Sequence, residues 1–337
     1  MSDPATAGSP DHDPLRGVDP DIRRFVSLVN ADYARLTGGK SLPVEQMRAV
    51  AEEVRAPWRQ GGPAMRRTVE HVAATSAGPV RLRIHDPGVP ASHPSPALVY
   101  LHGGGWTLFS LDTHDRVMRE YAARAGIIVV GVDYALSPES RYPVALNQVV
   151  AVVRWLQDHG TSFGIDASRL ALAGDSAGGN LSICTALALR DAGQAGLVQG
   201  LVLIYPAFDR RCSPEALRRY GGPGAVLTAE EVAYFWDNYT GGRDVSGDPL
   251  ASPMCADLVG LPPMCLTIPE CDVLTEQSYA MAARLREAGV DVVFNVYPGA
   301  THSFIEAMSI APVAARAIED GAQWLQRTLR VASPVAA

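Results

Sequence analysis

The spacing of apolar residues along the chain changes near residue 69. Before that point, apolar positions recur with helical periodicity over 21–36 and 44–58, which predicts two amphipathic helices that pack on something larger. From residue 69 onward, short β-branched runs alternate with helical stretches. This alternation is typical of a mostly parallel, doubly wound sheet. The pattern therefore predicts an α/β fold with eight strands flanked by helices.

The alternating part of the chain predicts individual elements. Strands are predicted over 69–75, 80–85, 97–101, 127–132, 170–173, 201–205, 264–268 and 292–297. Helices are predicted over 112–125, 144–159, 178–192, 275–288 and 312–329. Only a turn around Gly78-Pro79 separates the first two strands, so we expect them to form an antiparallel hairpin at the edge of the sheet.

One interval, 207–263, is too long for a simple crossover between strands. It contains Gly221-Gly222-Pro223-Gly224, followed by a capped helix from Thr228 to Tyr239. Long insertions between sheet elements are often lids. We therefore predict a lid insertion at about 207–250.

Composition and charge narrow the class of protein. The chain has 337 residues, of which 47% are hydrophobic, enough for a large core. Its formal net charge of −7 argues against binding to a phosphate backbone, which needs clustered basic residues. The longest apolar runs fall far short of the roughly 20 residues of a membrane span. Residues 1–20 lack a basic start followed by an apolar run, so they read as a disordered leader and not as a signal peptide.

The cysteine pattern gives no sign of a disulfide framework or a metal site. The five cysteines are an odd number, and none stands at Cys-x-x-Cys spacing or in a Cys/His cluster. Reduced thiols in a cytoplasmic protein are the simplest interpretation. We expect no metal and no cofactor.

A candidate nucleophile lies in the segment Gly174-Asp175-Ser176-Ala177-Gly178, which matches Gly-x-Ser-x-Gly. The motif follows a predicted strand and precedes a predicted helix, which is the context of a nucleophile elbow. A sharp turn there needs small residues on both sides of the serine. Ser176 is therefore the candidate nucleophile; the alternative is a glycine-rich turn without one.

A second glycine motif, His102-Gly-Gly-Gly-Trp106, directly follows the strand at 97–101. Consecutive glycines leave backbone N–H groups uncovered, as an oxyanion hole requires. We assign Gly104, Gly105 and Ala177 as the donors. A phosphate-binding loop is the rival interpretation, but Gly-x-Gly-x-x-Gly and Gly-Lys-Ser/Thr are both absent.

A serine nucleophile needs a base and an acid that orients the base. Among eight histidines, His302 alone follows a late strand and a turn. Asp272 follows the preceding strand and is the first candidate for the acid, with Glu270 second. The chain order Ser176, Asp272, His302 is the order of the α/β-hydrolases.

Taken together, these motifs resemble the hormone-sensitive lipase-like family of α/β-hydrolases, of the bacterial acetyl esterase type. His102-Gly-Gly-Gly-Trp106 and Gly174-Asp-Ser-Ala-Gly-Gly-Asn180 carry the resemblance, which covers roughly 69–329. It implies an α/β-hydrolase domain over 66–330 and N-terminal cap helices over 21–65. It also implies that Asp175 and Glu139 are buried acids that support the elbow and the oxyanion loop. Members often dimerise through the last strand, here from Phe294 to Tyr297.

The resemblance implies a serine esterase that cleaves short-acyl esters through an acyl-enzyme. Trp106 and Tyr205 are candidate substrate contacts, although aromatic residues near an insertion more often serve packing. A lactone or N-acetyl hydrolase with the same triad stays open, as does a receptor without catalysis. Cys271, next to Asp272, is more plausible as an apolar filler than as a thiol catalyst.

Overall fold

The computed structural model describes residues 13–88 and 94–331, and it contains the predicted eight-stranded α/β sheet. The strands are β1 (Arg67–Thr75), β2 (Gly78–Asp86), β3 (Ser95–Leu101), β4 (Ile128–Asp133), β5 (Ile165–Asp175), β6 (Gly200–Ile204), β7 (Met264–Cys271) and β8 (Val292–Thr301). Their order across the sheet is β1-β2-β4-β3-β5-β6-β7-β8. The predicted antiparallel hairpin of β1 and β2 at the edge is confirmed. β2 also pairs antiparallel with β4, and all later neighbours are parallel.

Helices cover both faces of the sheet. They are α1 (Pro20–Thr37), α2 (Val44–Arg55), α3 (Asp115–Ala125), α4 (Val144–His159), α5 (Ala177–Asp191), α6 (Pro214–Tyr220), α7 (Ala229–Thr240), α8 (Thr275–Glu287) and α9 (Pro312–Thr328). Alternate residues of a strand point to opposite faces. In β3, Leu98 and Tyr100 join the core with α1, α3 and α9, whereas Val99 and Leu101 join the core with α4, α5 and α8.

The N-terminal helices were predicted more completely from the sequence than the helices of the insertion. The N-terminal helices begin and end close to the predicted positions, because Asp19 caps α1 through two backbone N–H groups and Gly38 ends it in the left-handed region. In the insertion, the predicted capped helix forms as α7. The sequence analysis missed α6, a helix of seven residues that is too short for a periodic signal.

The C-terminal part of the predicted leader has a defined structure. Asp13 forms an ion pair with Arg23 of α1, and Val18 is buried against the core. This part is therefore a turn that docks on α1, held by that pair and by the burial of Val18, and not a disordered tail. Residues 1–12 and 89–93, which include His12 and His93, lie outside the described residues.

In 13–88 and 94–331, every helix is too short or too polar to cross a bilayer.

Candidate active site

The turn between β5 and α5 holds Ser176 in a constrained backbone conformation. Ser176 has φ of 53°, a region that L-residues other than glycine rarely adopt, and its N–H donates to the Ile204 carbonyl at 2.8 Å. A Cβ atom at Gly178 would overlap the Leu101 carbonyl, so only glycine lets the helix start this close to β3. The turn therefore projects Ser176 from the carboxyl end of the sheet.

The structure brings three predicted site residues together at that edge. His302 Nε2 lies 2.9 Å from Ser176 Oγ, and His302 Nδ1 lies 2.7 Å from Asp272 Oδ2. Asp272 also accepts the Leu274 N–H at 3.1 Å, which fixes the carboxylate. Ser176, Asp272 and His302 each follow directly after a strand, namely β5, β7 and β8. These strands run parallel, so the three residues lie at the same edge of the sheet. A serine, an imidazole and a carboxylate in this series can move a proton away from the hydroxyl.

Glu270, the second candidate for the acid, does not join this series. Its carboxylate accepts the Gly299 N–H at 2.9 Å, and its side chain is exposed. Glu270 therefore stabilises the turn before His302 instead of orienting the imidazole.

The glycine loop after β3 has amide groups that are free to bind a ligand. Gly104 has φ of 103° and Gly105 has φ of 60°, and the Gly104 carbonyl accepts the N–H groups of Thr107 and Leu108. In the described part of the chain, no group accepts a hydrogen bond from the N–H of Gly104, Gly105 or Ala177. Free amides beside a nucleophile can stabilise a developing oxyanion.

Asp175, the residue before the serine, ties the elbow to that loop. Its carboxylate accepts the Gly103 N–H at 3.1 Å and the Tyr100 hydroxyl at 2.8 Å, and it lies 3.3 Å from His114 Nε2. Burial lowers the pKa of His114, but the neighbouring Asp175 carboxylate more than offsets this and leaves it raised. Burial lowers the pKa of the adjacent His102 to about 3. Asp175 and His114 therefore form a buried hydrogen-bonded pair beneath the loop.

The expectation that Glu139 is buried is wrong. Its side chain is 59% exposed and forms an ion pair of 2.7 Å with Arg48 of α2. Arg48 also donates to the carbonyls of Thr107 and Ser137, both at 2.8 Å. Glu139 is therefore a surface partner of the arginine that attaches α2 to the oxyanion loop.

A second arginine of α2 reaches the other side of the site. Arg55 forms a buried ion pair of 2.6 Å with Glu306, which lies four residues after His302, and its guanidinium lies 4.9 Å from the ring centre of Phe109. Sequence reasoning missed both arginines. Their partners lie between 54 and 251 residues away, so no local pattern could have found them.

Of the two predicted substrate contacts, Trp106 is buried beside α7. Its ring stacks on Tyr239 with centroids 4.2 Å apart and meets Trp236 edge to face, and it is 1% exposed. α7 packs against this ring, and the contact of Trp106 with a substrate stays a prediction. Tyr205 is buried too, but its ring centre lies 4.7 Å from that of His302.

Phe235, one of the aromatic residues of the insertion, lies directly over the glycine loop after β3. A Cβ atom at Gly105 would overlap its ring. The aromatic residues of α7 therefore fill the space beside the loop amides.

Cys271 precedes Asp272, and its environment disfavours the thiolate. Burial raises the pKa of its thiol to about 11, and only the thiolate is a strong nucleophile. We expect Cys271→Ser to retain kcat/KM within about twofold of the wild-type value. Ester hydrolysis at neutral pH tests this, and a loss of more than tenfold at an unchanged Tm would assign the thiol a part in the reaction. Among the described residues, no group of His, Cys, Asp and Glu is arranged to hold a metal.

Comparison with known proteins gives a consistent result. A family model of the α/β-hydrolase fold matches residues 98–306. The chain is 32% identical over 305 residues to an ethyl acetate hydrolase of Pseudomonas putida, covering 87% of this chain and 93% of that one. It is 38% identical over 239 residues to carboxylesterase NlhH of Mycobacterium tuberculosis, covering 69% and 74%. A hyperthermophilic esterase of the archaeon Pyrobaculum calidifontis is similar in structure, with a TM-score of 0.84 and 32% identity over 92% of this chain and 98% of the other.

Proposed function

This chain belongs to the hormone-sensitive lipase-like family of α/β-hydrolases and is an ester hydrolase of the carboxylesterase type, and from this premise we propose that Ser176, His302 and Asp272 cleave short-acyl esters through an acyl-enzyme. One observation carries the proposal. The serine hydroxyl, the imidazole and the carboxylate form a continuous hydrogen-bonded series, with distances of 2.9 and 2.7 Å.

In the first half of the proposed reaction, Ser176 Oγ attacks the ester carbonyl carbon while His302 Nε2 takes the hydroxyl proton. Asp272 holds Nδ1–H and stabilises the imidazolium. The amides of Gly104, Gly105 and Ala177 hold the negative oxygen of the tetrahedral intermediate. The bond to the alcohol oxygen then breaks, and His302 gives its proton to that oxygen.

The second half repeats these roles with water. His302 takes a proton from a water molecule, which attacks the acyl-enzyme, and the same amides hold the second tetrahedral intermediate. Collapse releases the carboxylic acid, and the proton returns to Ser176. The cycle therefore consumes one water molecule and needs no cofactor.

Two observations support a short acyl group. The Pseudomonas putida relative is named for ethyl acetate, an ester with a two-carbon acyl group. In this chain, Phe235 lies against Gly105, and Trp106 packs beneath α7, so aromatic rings crowd the oxyanion loop. Crowding there restricts the space for a long chain.

A series of p-nitrophenyl esters from acetate to palmitate tests the proposed acyl preference. We expect kcat/KM to be highest between acetate and butyrate and to fall by about tenfold or more at octanoate, because extra methylenes must displace packed rings. A maximum at octanoate or palmitate would overturn the short-acyl proposal. Lactone and N-acetyl amine substrates, assayed in parallel, decide whether the ester is the preferred bond.

Two further proposals concern the protein outside its site. We propose a cytoplasmic enzyme that forms a homodimer through β8. This strand is the last of the sheet, and Val293 and Val296 on it are exposed apolar residues. An exposed apolar edge strand is suited to pairing with a second copy. We also propose that α1, α2 and the insertion with α6 and α7 form the cap of the site.

A further inference from the structure

Helix α7 runs across the proposed site from the base to the oxyanion loop. Leu227, which directly precedes the helix cap, lines one small cavity together with His302 and Asp272. Two turns later, Phe235 lies against Gly105. The first two turns of α7 therefore extend over the space between the imidazole and the oxyanion donors.

Glu231 occupies the side of α7 that faces this space. It lies four residues before Phe235, and residues at this spacing share one helix face. The capping box fixes its position, since Oε2 accepts the Thr228 N–H at 2.8 Å. Partial desolvation raises the pKa of the Glu231 carboxyl, and its hydrogen bonds to Thr228 lower it, although the residue itself is exposed. Glu231 therefore stands on α7 between Leu227, which lines a cavity with His302, and Phe235, which lies against the loop after β3.

No basic side chain of the described residues forms an ion pair with Glu231. Arg55 of α2 is already paired with Glu306. Glu231 is exposed, so it presents an unneutralised negative charge to whatever enters the cleft.

The proposed role of His302 determines which part of an ester lies near the charge of Glu231. In the proposed reaction, His302 protonates the departing alcohol oxygen, so the alcohol group must lie on the imidazole side of the site. Leu227, which lines a cavity with His302, stands four residues before Glu231, so helical spacing places Glu231 toward the same side. We propose that Glu231 is a specificity-determining residue that favours esters with an ammonium group on the alcohol. This inference rests on the proposed esterase function.

The test compares two acetate esters of nearly equal shape. One is 2-(trimethylammonio)ethyl acetate, and the other is its neutral isostere, 3,3-dimethylbutyl acetate. The readout is the ratio of kcat/KM for the cationic ester to that for the neutral ester. We expect Glu231→Gln to lower this ratio about fivefold, the size expected for one partly exposed charge pair. Raising the salt concentration should lower the wild-type ratio toward that of the variant.

Two further variants keep the result interpretable. Glutamine at this position preserves the capping box, so Glu231→Gln should unfold at the wild-type Tm. Glu230→Gln removes the same charge from the next residue, which points about 100° away around the helix, and should leave the ratio unchanged. Glu231→Lys should lower the ratio below that of Glu231→Gln.

The outcomes separate this inference from the function on which it rests. An unchanged ratio in Glu231→Gln, or an equal fall in Glu230→Gln, would overturn the role of Glu231 while hydrolysis of the neutral ester upholds the esterase. A wild-type protein that cleaves neither of these esters nor the p-nitrophenyl series would overturn the proposed function itself.

Discussion

Replacing Ser176 by alanine is expected to lower kcat for a short p-nitrophenyl ester by roughly four to six orders of magnitude. The loss should be this large because no other described hydroxyl or thiol lies within hydrogen-bonding distance of His302 Nε2. Substrate contacts and the free amides of the oxyanion loop stay in place, so binding should persist. The measurement is steady-state hydrolysis of the acetate ester, together with the inhibition constant of a non-hydrolysable phosphonate or ketone analogue.

Ser182→Ala is the matched control for this substitution. Ser182 lies on the same helix, is fully buried and donates to the Gly178 carbonyl at 2.8 Å. Its loss should cost about 1 kcal/mol of stability and leave hydrolysis within a few-fold of the wild-type rate. If Ser176→Ala kept more than one hundredth of the wild-type kcat, the attacking group would have to be something other than this serine.

The sequence predicted the parts of the fold and site that local pattern determines. The eight strands came from runs of β-branched residues, and the parallel sheet came from their alternation with helices. Because parallel strands carry the residues that follow them to one edge, three residues that are up to 126 positions apart could be expected to meet. Ser176, Asp272 and His302 are each the first residue after a strand, and the structure joins them by hydrogen bonds. Their roles in the reaction stay predictions.

Contacts between distant side chains could not be predicted in this way. Arg48 and Arg55 stand seven residues apart on one face of α2, which in the sequence looks like the solvated side of an amphipathic helix. In the structure, one binds the oxyanion loop and the other binds Glu306 in the loop after His302. The expectation that Glu139 is buried came from the family resemblance, and it was wrong because Glu139 lies at the surface, where it pairs with Arg48, 91 residues earlier. Local periodicity reports which face of an element is apolar, but it does not report what a charged side chain on the other face will meet.

In the proposed oxyanion loop, the direction of the donor amides depends on backbone geometry and not on side-chain chemistry. Gly104 has φ of 103°, and a Cβ atom there would overlap the Leu108 carbonyl oxygen and lie 2.8 Å from Phe109 Cδ2. An alanine must therefore rotate its own peptide or move the turn that Thr107 and Leu108 close on the Gly104 carbonyl. Either change turns the Gly104 N–H away from the position of the developing oxyanion.

We expect Gly104→Ala to lower kcat by about 100- to 1000-fold with little change in KM, because a lost oxyanion donor acts mainly in the transition state. Gly126→Ala is the control. Gly126 also has a positive φ, of 66°, but a Cβ atom there meets nothing within 4 Å, so the substitution costs stability through backbone strain alone, about 1–2 kcal/mol. Steady-state kinetics and Tm measured on both variants separate the two effects. If Gly104→Ala lost no more activity than Gly126→Ala, the donors of the oxyanion hole would have to be the other amides, those of Gly105 and Ala177, without a contribution from Gly104.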